Sequence, residues 1–264
     1  MRSLGAGERG AGIHVGLISY RIGHRKTWQL AHRYRLKGYR VTIYGFPFVC
    51  RPPRPPLFKD RPDQIVDFDV AAMSDRYGFG YVPMDGWTDA HAAGLGVAGG
   101  SPDVFVTCIG KIIPATFLAD RTFLNAHPGL LPQNRGVDAF KRAVVNLWPI
   151  GVTLHVIDER IDAGRILRRQ RVPVYPTDDL KAVADRAYQV ECDLLSDFAL
   201  WLHSADPDWR VDVGEHPLST RRISDDEDRG LEEMFVANRS RFVSLATDVS
   251  VQPHPSDALC YVAG

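Results

Sequence analysis

The sequence predicts an α/β protein built on a mostly parallel sheet flanked by helices, with a small C-terminal appendage. Two observations carry this. Across residues 13–204, short β-branched apolar runs alternate with segments of helical spacing, a pattern that stacks helices on a parallel sheet. The run PDVFVTCIG (102–110) is also apolar almost without alternation, as expected of a strand covered on both faces.

Residues 1–12 are Gly-rich, carry both charge signs and read as a flexible leader. IHVGLIS (13–19) is a strand. RKTWQLAHRYRLKG (25–38) puts Trp28, Ala31, Tyr34 or Arg35, and Leu36 at roughly helical spacing and stops at Gly38. RVTIYGF (40–46) is the next strand, which completes a βαβ unit with an expected right-handed crossover. PFVCRPPRPPLFKDRPD (47–63) is too rich in Pro and Arg for a sheet interior and reads as a mobile surface loop.

GFGYVPMDGW gives a short strand and turn, and AHAAGLGVAGG a Gly-weakened helix. KIIPATFLA is a one-turn break before the strand in RTFLNAHPG. Then come a helix at 137–147, a strand at 151–158, the acidic turn ERIDAG and a strand at 165–174. A strong helix spans 178–204, with Thr177 or Asp178 as its expected cap. The tail 205–264 changes character, with 12 acids against 6 bases, one short helix at 225–237 and otherwise loop and strand signals.

Composition narrows the function. Hydrophobic residues make up 45% of the 264, enough to bury a real core. Lys+Arg and Asp+Glu stand at 32 each, so neither a nucleic-acid backbone nor an anionic membrane is an expected partner. The four cysteines are scattered without a CxxC pair and read as reduced thiols. The N-terminus lacks a signal-peptide pattern, and no apolar run reaches the roughly 18 residues of a membrane span. The expectation is a cytoplasmic protein.

The informative stretch is FLNAHPGLLPQNRG (123–136). Asn125 and His127 end an apolar strand and are followed at once by Pro128, Gly129 and Pro132. In an open α/β sheet, ligands lie beyond the carboxyl ends of the strands. A later strand contributes Thr153 and His155, and Asp162 lies in the turn beyond it. One amide, two imidazoles, one hydroxyl and one carboxylate could therefore converge. An imidazolium and an Asn amide can donate to a carbonyl oxygen as it becomes an oxyanion. A carboxylate beside the His favours its cationic form and can take a proton from an attacking amine. No Ser or Cys sits beside these residues as a nucleophile, so the logic is direct acyl transfer between two bound substrates. A metal site from His127, His155 and Asp162 lacks short ligand spacing and is not expected. Nor is a dinucleotide, because GLISYRIGHRK is no GxGxxG fingerprint.

NAHPGLLPQNRG followed by GVTLHVIDERIDAG resembles the two signature segments of the formyltetrahydrofolate-dependent formyltransferases. That family includes glycinamide ribonucleotide transformylase, methionyl-tRNA formyltransferase and the nucleotide-sugar N-formyltransferases. Its first segment runs Asn-x-His-Pro/Ala-x-Leu-Leu-Pro, and every fixed position is present. Its second runs Gly-x-Thr/Ser-x-His with an Asp seven residues on, as Asp162 follows His155. Gly129 stands where Ser is usual, a change that adds backbone freedom.

The resemblance implies a Rossmann-like formyltransferase fold for the catalytic domain, 13–204, and 10-formyltetrahydrofolate as co-substrate without a metal. Asn125 and His127 would bind the formyl oxygen, Asp162 would assist proton removal and support a charged His127, and Thr153 and His155 would hold a nearby water. Gly110, Lys111, Ile112 and Ile113, with the backbone of 158–164 (Asp158, Glu159, Ile161), would wall the pterin cleft. The short acidic tail disfavours tRNA and is similar to the nucleotide-sugar enzymes, where such a tail helps form the subunit interface. The expected partner is therefore a small-molecule amine, an amino-sugar nucleotide or a specialised-metabolite amine, and the expected assembly a homodimer. Two other readings stand: a formyltetrahydrofolate hydrolase, and a catalytically silent folate-binding protein.

Overall fold

The computed structural model describes residues 12–48, 57–87, 100–202, 218 and 220–247. Nearly all of the expected leader and of the Gly-weakened helix, residues 49–56 of the Pro/Arg-rich stretch, and both flanks of the tail lie outside them.

The described strands are β1 (His14–Tyr20), β2 (Ile22–His24), β3 (Arg40–Phe46), β4 (Ile65–Asp69), β5 (Gly80–Pro83), β6 (Val104–Thr107), β7 (Phe123–His127), β8 (Gly151–Val156) and β9 (Ile166–Arg171). The described helices are α1 (Arg25–Leu36), α2 (Val70–Tyr77), α3 (Ala115–Leu118), α4 (Ala139–Val145), α5 (Leu180–Ser196), α6 (Phe198–Leu202), α7 (Asp225–Ala237) and α8 (Arg239–Thr247). The sheet runs in the order β5-β3-β1-β6-β7-β8-β9. The β1–β3, β1–β6, β3–β5 and β6–β7 pairs are parallel and β8–β9 is antiparallel, so the sheet is mostly parallel, as the sequence predicts. The chain divides into two compact units, Met1–Pro53 with Asp63–Asn125, and Arg54–Pro62 with Ala126–Gly264.

In the first unit, β1 and β6 are buried throughout apart from Tyr20 at the rim, which is why both read as near-continuous apolar runs. The packed face of α1 keeps part of the expected row. Ala31 and Tyr34 are buried as expected, together with Thr27 and Leu30, at steps of three and four residues, whereas Trp28 is 46% and Leu36 75% exposed. One aromatic at helical spacing is not enough to fix a helix's rotation; the full row decides it. A two-stranded antiparallel sheet of β2 and β4 and the helix α2 add to the elements that the sequence predicts. Asp69 starts α2 by accepting from the N–H groups of Ala71 (2.7 Å) and Ala72 (3.0 Å), and Gly78 stops it in the left-handed region at φ 70°.

In the second unit, the end of the Pro/Arg-rich stretch is no mobile surface loop. Phe58 is buried, with its ring stacked 6.5 Å from that of Phe140. The N–H groups of Leu57 and Phe58 donate to the Asp228 carboxylate at 3.0 and 3.4 Å. Arg61 pairs with buried Glu191 at 2.8 Å, and buried Lys141 with Asp228 at 2.6 Å. Composition favours solvation, but one aromatic ring and paired charges are enough to seat the segment.

The cap of α5 is Asp179, which accepts from Ala182 N–H at 2.7 Å. Asp178, one of the two expected caps, instead accepts from Tyr175 N–H at 2.8 Å and pairs with Arg186. The expected long helix breaks at Asp197 into α5 and α6. Helix α7 covers the expected span, opened by a Ser224–Glu227 capping box. It buries Leu231 and Phe235 and touches α4 and α5, so the tail's described part belongs to the second unit. Helix α8 lies where the sequence shows loop and strand signals, closed onto α7 by Phe242 stacked on Phe235 at 5.4 Å. Among the described residues no helix is long and apolar enough to cross a membrane.

Candidate active site

Asn125 and His127 lie two apart in β7 and so point to the same side of the strand. Asn125 belongs to the first unit, where the Thr107 hydroxyl approaches its Oδ1 at 3.2 Å. His127, His155, Thr153 and Asp162 all belong to the second unit.

His127 is 4% exposed. Its Nε2 donates to the backbone carbonyl of Asn134 at 2.8 Å, and its Nδ1 stands 3.5 Å from Asp162 Oδ2. Asp162 sits in the left-handed region at φ 49°, unusual for a residue with a side chain. Three bonds from one dipeptide hold it there. The guanidinium of buried Arg135 donates to the carbonyls of Ile161 (2.7 Å) and Asp162 (3.1 Å), and the N–H of Gly136 donates to Asp162 Oδ2 at 3.0 Å.

His155 completes the cluster, with Nε2 3.8 Å from Asp162 Oδ1 and Nδ1 donating to its neighbour's carbonyl, Val156 O, at 3.2 Å. Burial pushes the His155 imidazole down to about 4; Asp162 partly opposes this and His127 adds to it. Near neutral pH His155 is therefore uncharged and turns its Nε2 lone pair toward Asp162. The carboxylate thus lies between two imidazoles.

Thr153 is fully buried and its hydroxyl is taken up by the loop after β7. It donates to Gly129 O at 2.7 Å and accepts from Leu131 N–H at 3.0 Å. It fixes the path of 129–131. Gly129 likewise serves a close approach: a Cβ there would stand 2.7 Å from Asn134 O and 3.0 Å from His127 Nε2.

Of the residues expected to line the pterin cleft, Gly110–Ile113 lie in the first unit. Ile113 is buried, Ile112 is 76% exposed, and the Lys111 ammonium lies 5.6 Å from the centre of the Phe46 ring. In the second unit, the Asp158 carboxylate accepts from Arg160 N–H and from its guanidinium, both at 2.9 Å, which fixes the turn while Glu159 and Ile161 stay exposed. Gly164 closes this turn, since a Cβ there would overlap Val156 O at 1.8 Å. Among the described residues, no group of three or more His, Cys, Asp or Glu side chains is arranged to hold a metal ion.

Sequence reasoning misses Asn134, Arg135 and Gly136, although all three stand in the stretch it singles out. The available signal is an Arg between Asn134 and Gly136, three residues after Pro132, where a buried guanidinium needs carbonyl or carboxylate acceptors.

Residues 96–198 match a family model described as formyl transferase. A phosphoribosylglycinamide formyltransferase of Dictyostelium discoideum is 33% identical over 92 residues, 30% of this chain and 45% of that protein. A methionyl-tRNA formyltransferase of Treponema pallidum is 40% identical over 100 residues, 36% of this chain and 31% of that protein. The chain thus spans less than half the length of these curated relatives. Among solved structures, the formyltransferase PseJ of Anoxybacillus kamchatkensis, in complex with UDP-4,6-dideoxy-4-formamido-L-AltNAc and tetrahydrofolate, has a TM-score of 0.51. It is 18% identical and covers 89% of this chain and 100% of its own, a likeness of fold. The matched region spans the strands and the turn that bring His127, His155 and Asp162 together, and over that region the chain is similar to the formyl transferases.

Proposed function

We propose that the protein is an N-formyltransferase that moves the formyl group of 10-formyltetrahydrofolate to the amine of a small molecule, an amino-sugar nucleotide or a specialised-metabolite amine. The observation that carries the reading is the Asp162 carboxylate, gripped by Arg135 and Gly136 and flanked by His127 Nδ1 at 3.5 Å and His155 Nε2 at 3.8 Å.

In this reading the amine nitrogen adds to the formyl carbon, and the bond from that carbon to the folate nitrogen then breaks. Negative charge builds on the formyl oxygen as the amine adds. His127 can meet it with a donor only as imidazolium, because its Nε2–H is committed to Asn134 O and the second proton must sit on Nδ1. Asn125, two residues earlier, supplies a second donor. Asp162 takes the proton that the attacking amine loses, neutral His155, with its lone pair facing Asp162 Oδ1, can share it, and a proton is returned to the folate nitrogen as its bond to the formyl carbon breaks. The Thr153 hydroxyl is committed to the loop, which supports direct transfer over a covalent intermediate.

The equal charge totals and the acidic tail support a small acceptor over RNA. So does the likeness to PseJ, whose complex holds a formamido sugar nucleotide beside tetrahydrofolate. A homodimer through 205–264 belongs to the same reading, and sedimentation checks it.

The test is the absorbance change on tetrahydrofolate formation from 10-formyltetrahydrofolate. Amino-sugar nucleotides, glycinamide ribonucleotide, small amines and hydroxylamines form the acceptor panel, and Asp162→Asn is run beside the wild type. Turnover with one acceptor, reduced about 10²- to 10⁴-fold in the variant, supports the reading. Turnover without any amine would make the protein a hydrolase. Tight folate binding without turnover across the panel would make it a silent binder.

A further inference from the structure

The first unit carries a groove of about 870 Å³ between α1 and α2, floored by β4. None of its residues belongs to the cluster around Asp162. We infer that this groove is a binding site for a nucleoside 5′-phosphate.

The rotation of α1 sets the lining. With Thr27, Leu30, Ala31 and Tyr34 turned inward, Trp28, His32 and Arg35 share the opposite face and line the groove. Trp28 is left 46% exposed, whereas Tyr34 of the same helix is fully buried. The His32 ring lies 6.4 Å from Trp28 with planes only 20° apart, and 6.4 Å from Tyr77 of α2. The Arg35 guanidinium covers Tyr77 at 4.8 Å. Trp28 and His32 are near-parallel and Tyr77 stands at 50° to His32, so the groove presents aromatic faces of the kind on which a nucleobase stacks.

The charges select the rest of the ligand. Arg35 and Arg76 both line the groove, and Arg35 donates to the backbone carbonyl of Arg76 at 3.1 Å. Arg76 is exposed, and its guanidinium has no partner among the described residues. Guanidinium forks lining one cleft suit a phosphate. Of the two carboxylates present, Asp69 is engaged in capping α2, while Asp67 has no partner among the described residues. A carboxylate there would repel a bare phosphate but accepts hydrogen bonds from a ribose diol. Arg25, Arg35 and Arg76 against Asp67 and Asp69 leave a net charge of only about one, too little to hold a polyanion such as nucleic acid. A planar base, a diol and one phosphate match the three features in turn. The volume lies in the ordinary range of small-molecule clefts, roughly 300–1,000 Å³.

AMP and UMP are titrated by calorimetry into the full chain and into Trp28→Ala and Arg76→Glu variants, with ribose 5-phosphate and inorganic phosphate as controls. Both positions are exposed, so both variants should unfold at the wild-type temperature. The expected result is one nucleotide site, weakened about tenfold to a hundredfold by Trp28→Ala and about tenfold or more by Arg76→Glu, with both controls binding less well. Absence of nucleotide binding overturns the inference. So does ribose 5-phosphate binding as well as the nucleotides, because the aromatic faces would then recognise nothing. Nucleotide binding that survives both variants also overturns it, by locating the ligand elsewhere. The readout uses no residue of the formyl-transfer reading, so either can fail without the other.

Discussion

His127 donates its Nε2–H to the backbone carbonyl of Asn134, seven residues on, at 2.8 Å. A carbonyl only accepts, so this nitrogen keeps its proton and Nδ1 is the one whose protonation changes. Nδ1 is also the atom nearest Asp162. The loop after β7, not the strand alone, thus decides which nitrogen of His127 is available for chemistry.

That loop closes over Gly129. A side chain there would press on Asn134 O at 2.7 Å, His127 Nε2 at 3.0 Å and Ala139 Cβ at 3.0 Å. Restoring the family's usual residue, Gly129→Ser, should therefore destabilise the protein by about 1–3 kcal/mol and lower kcat by shifting His127. Urea unfolding and the formyl-transfer assay check this. Wild-type values in both would mean the loop relaxes freely and does not set the ring.

Arg135 holds the backbone of the turn that carries Asp162, and in the proposed reaction it would act through that carboxylate. Arg135→Lys replaces a fork that reaches two carbonyls with a single ammonium. We expect kcat to fall about 10- to 100-fold with little change in KM, since the carboxylate survives but its left-handed turn loosens. Arg135→Ala should in addition cost about 1–3 kcal/mol of stability, because it leaves carbonyls unpaired. Equal losses of kcat in the two variants, tracking their stability, would show a purely structural role.

His155 makes stability depend on pH. Its folded value is about 4 against an ordinary 6.5. Above pH 6.5 neither folded nor unfolded chain holds this proton. Between 6.5 and 4 the unfolded chain takes it up and the native one does not, so stability falls as pH falls, by up to about 1.4 kcal/mol per unit. Denaturant midpoints measured from pH 7.5 to 4.5 should show that slope in the wild type and a smaller one in His155→Gln.

Asp228 ties the 57–62 segment to α4. Burial alone would push its carboxyl up, but the bonds from Lys141 Nζ and from the N–H groups of Leu57 and Phe58 outweigh that and hold it below its ordinary value. Its contribution is present above pH 3.8 and is lost as pH drops through the lowered folded value. Asp228→Ala strands a buried ammonium and should cost about 3–5 kcal/mol. Adding Lys141→Met should recover a substantial part of it, as thermal unfolding would show.

Local pattern is enough for the elements that bury one continuous row of side chains. The apolar run Val104–Thr107, the strand ending in Asn125 and His127, and helix α7 with its Ser224–Glu227 box are all legible. Two elements that mix polar and apolar residues, β4 and α2, are not, and in α1 only Ala31 and Tyr34 of the expected row pack inward, with Trp28 and Leu36 left exposed.

The sequence by itself determined the chemical inventory: an amide, two imidazoles and a carboxylate at strand ends, with no nucleophile beside them. Strand period and turn chemistry act over a few residues, and the sequence displays them directly. Only the tertiary structure decided how that inventory is held. Arg135 grips a turn 26 residues away, and Asp228 receives two N–H groups from 170 and 171 residues earlier. Such bonds depend on where whole strands and helices pack, and no local spacing encodes that. The same holds for Thr153, whose hydroxyl bonds Gly129 O and Leu131 N–H, more than twenty residues earlier in the chain.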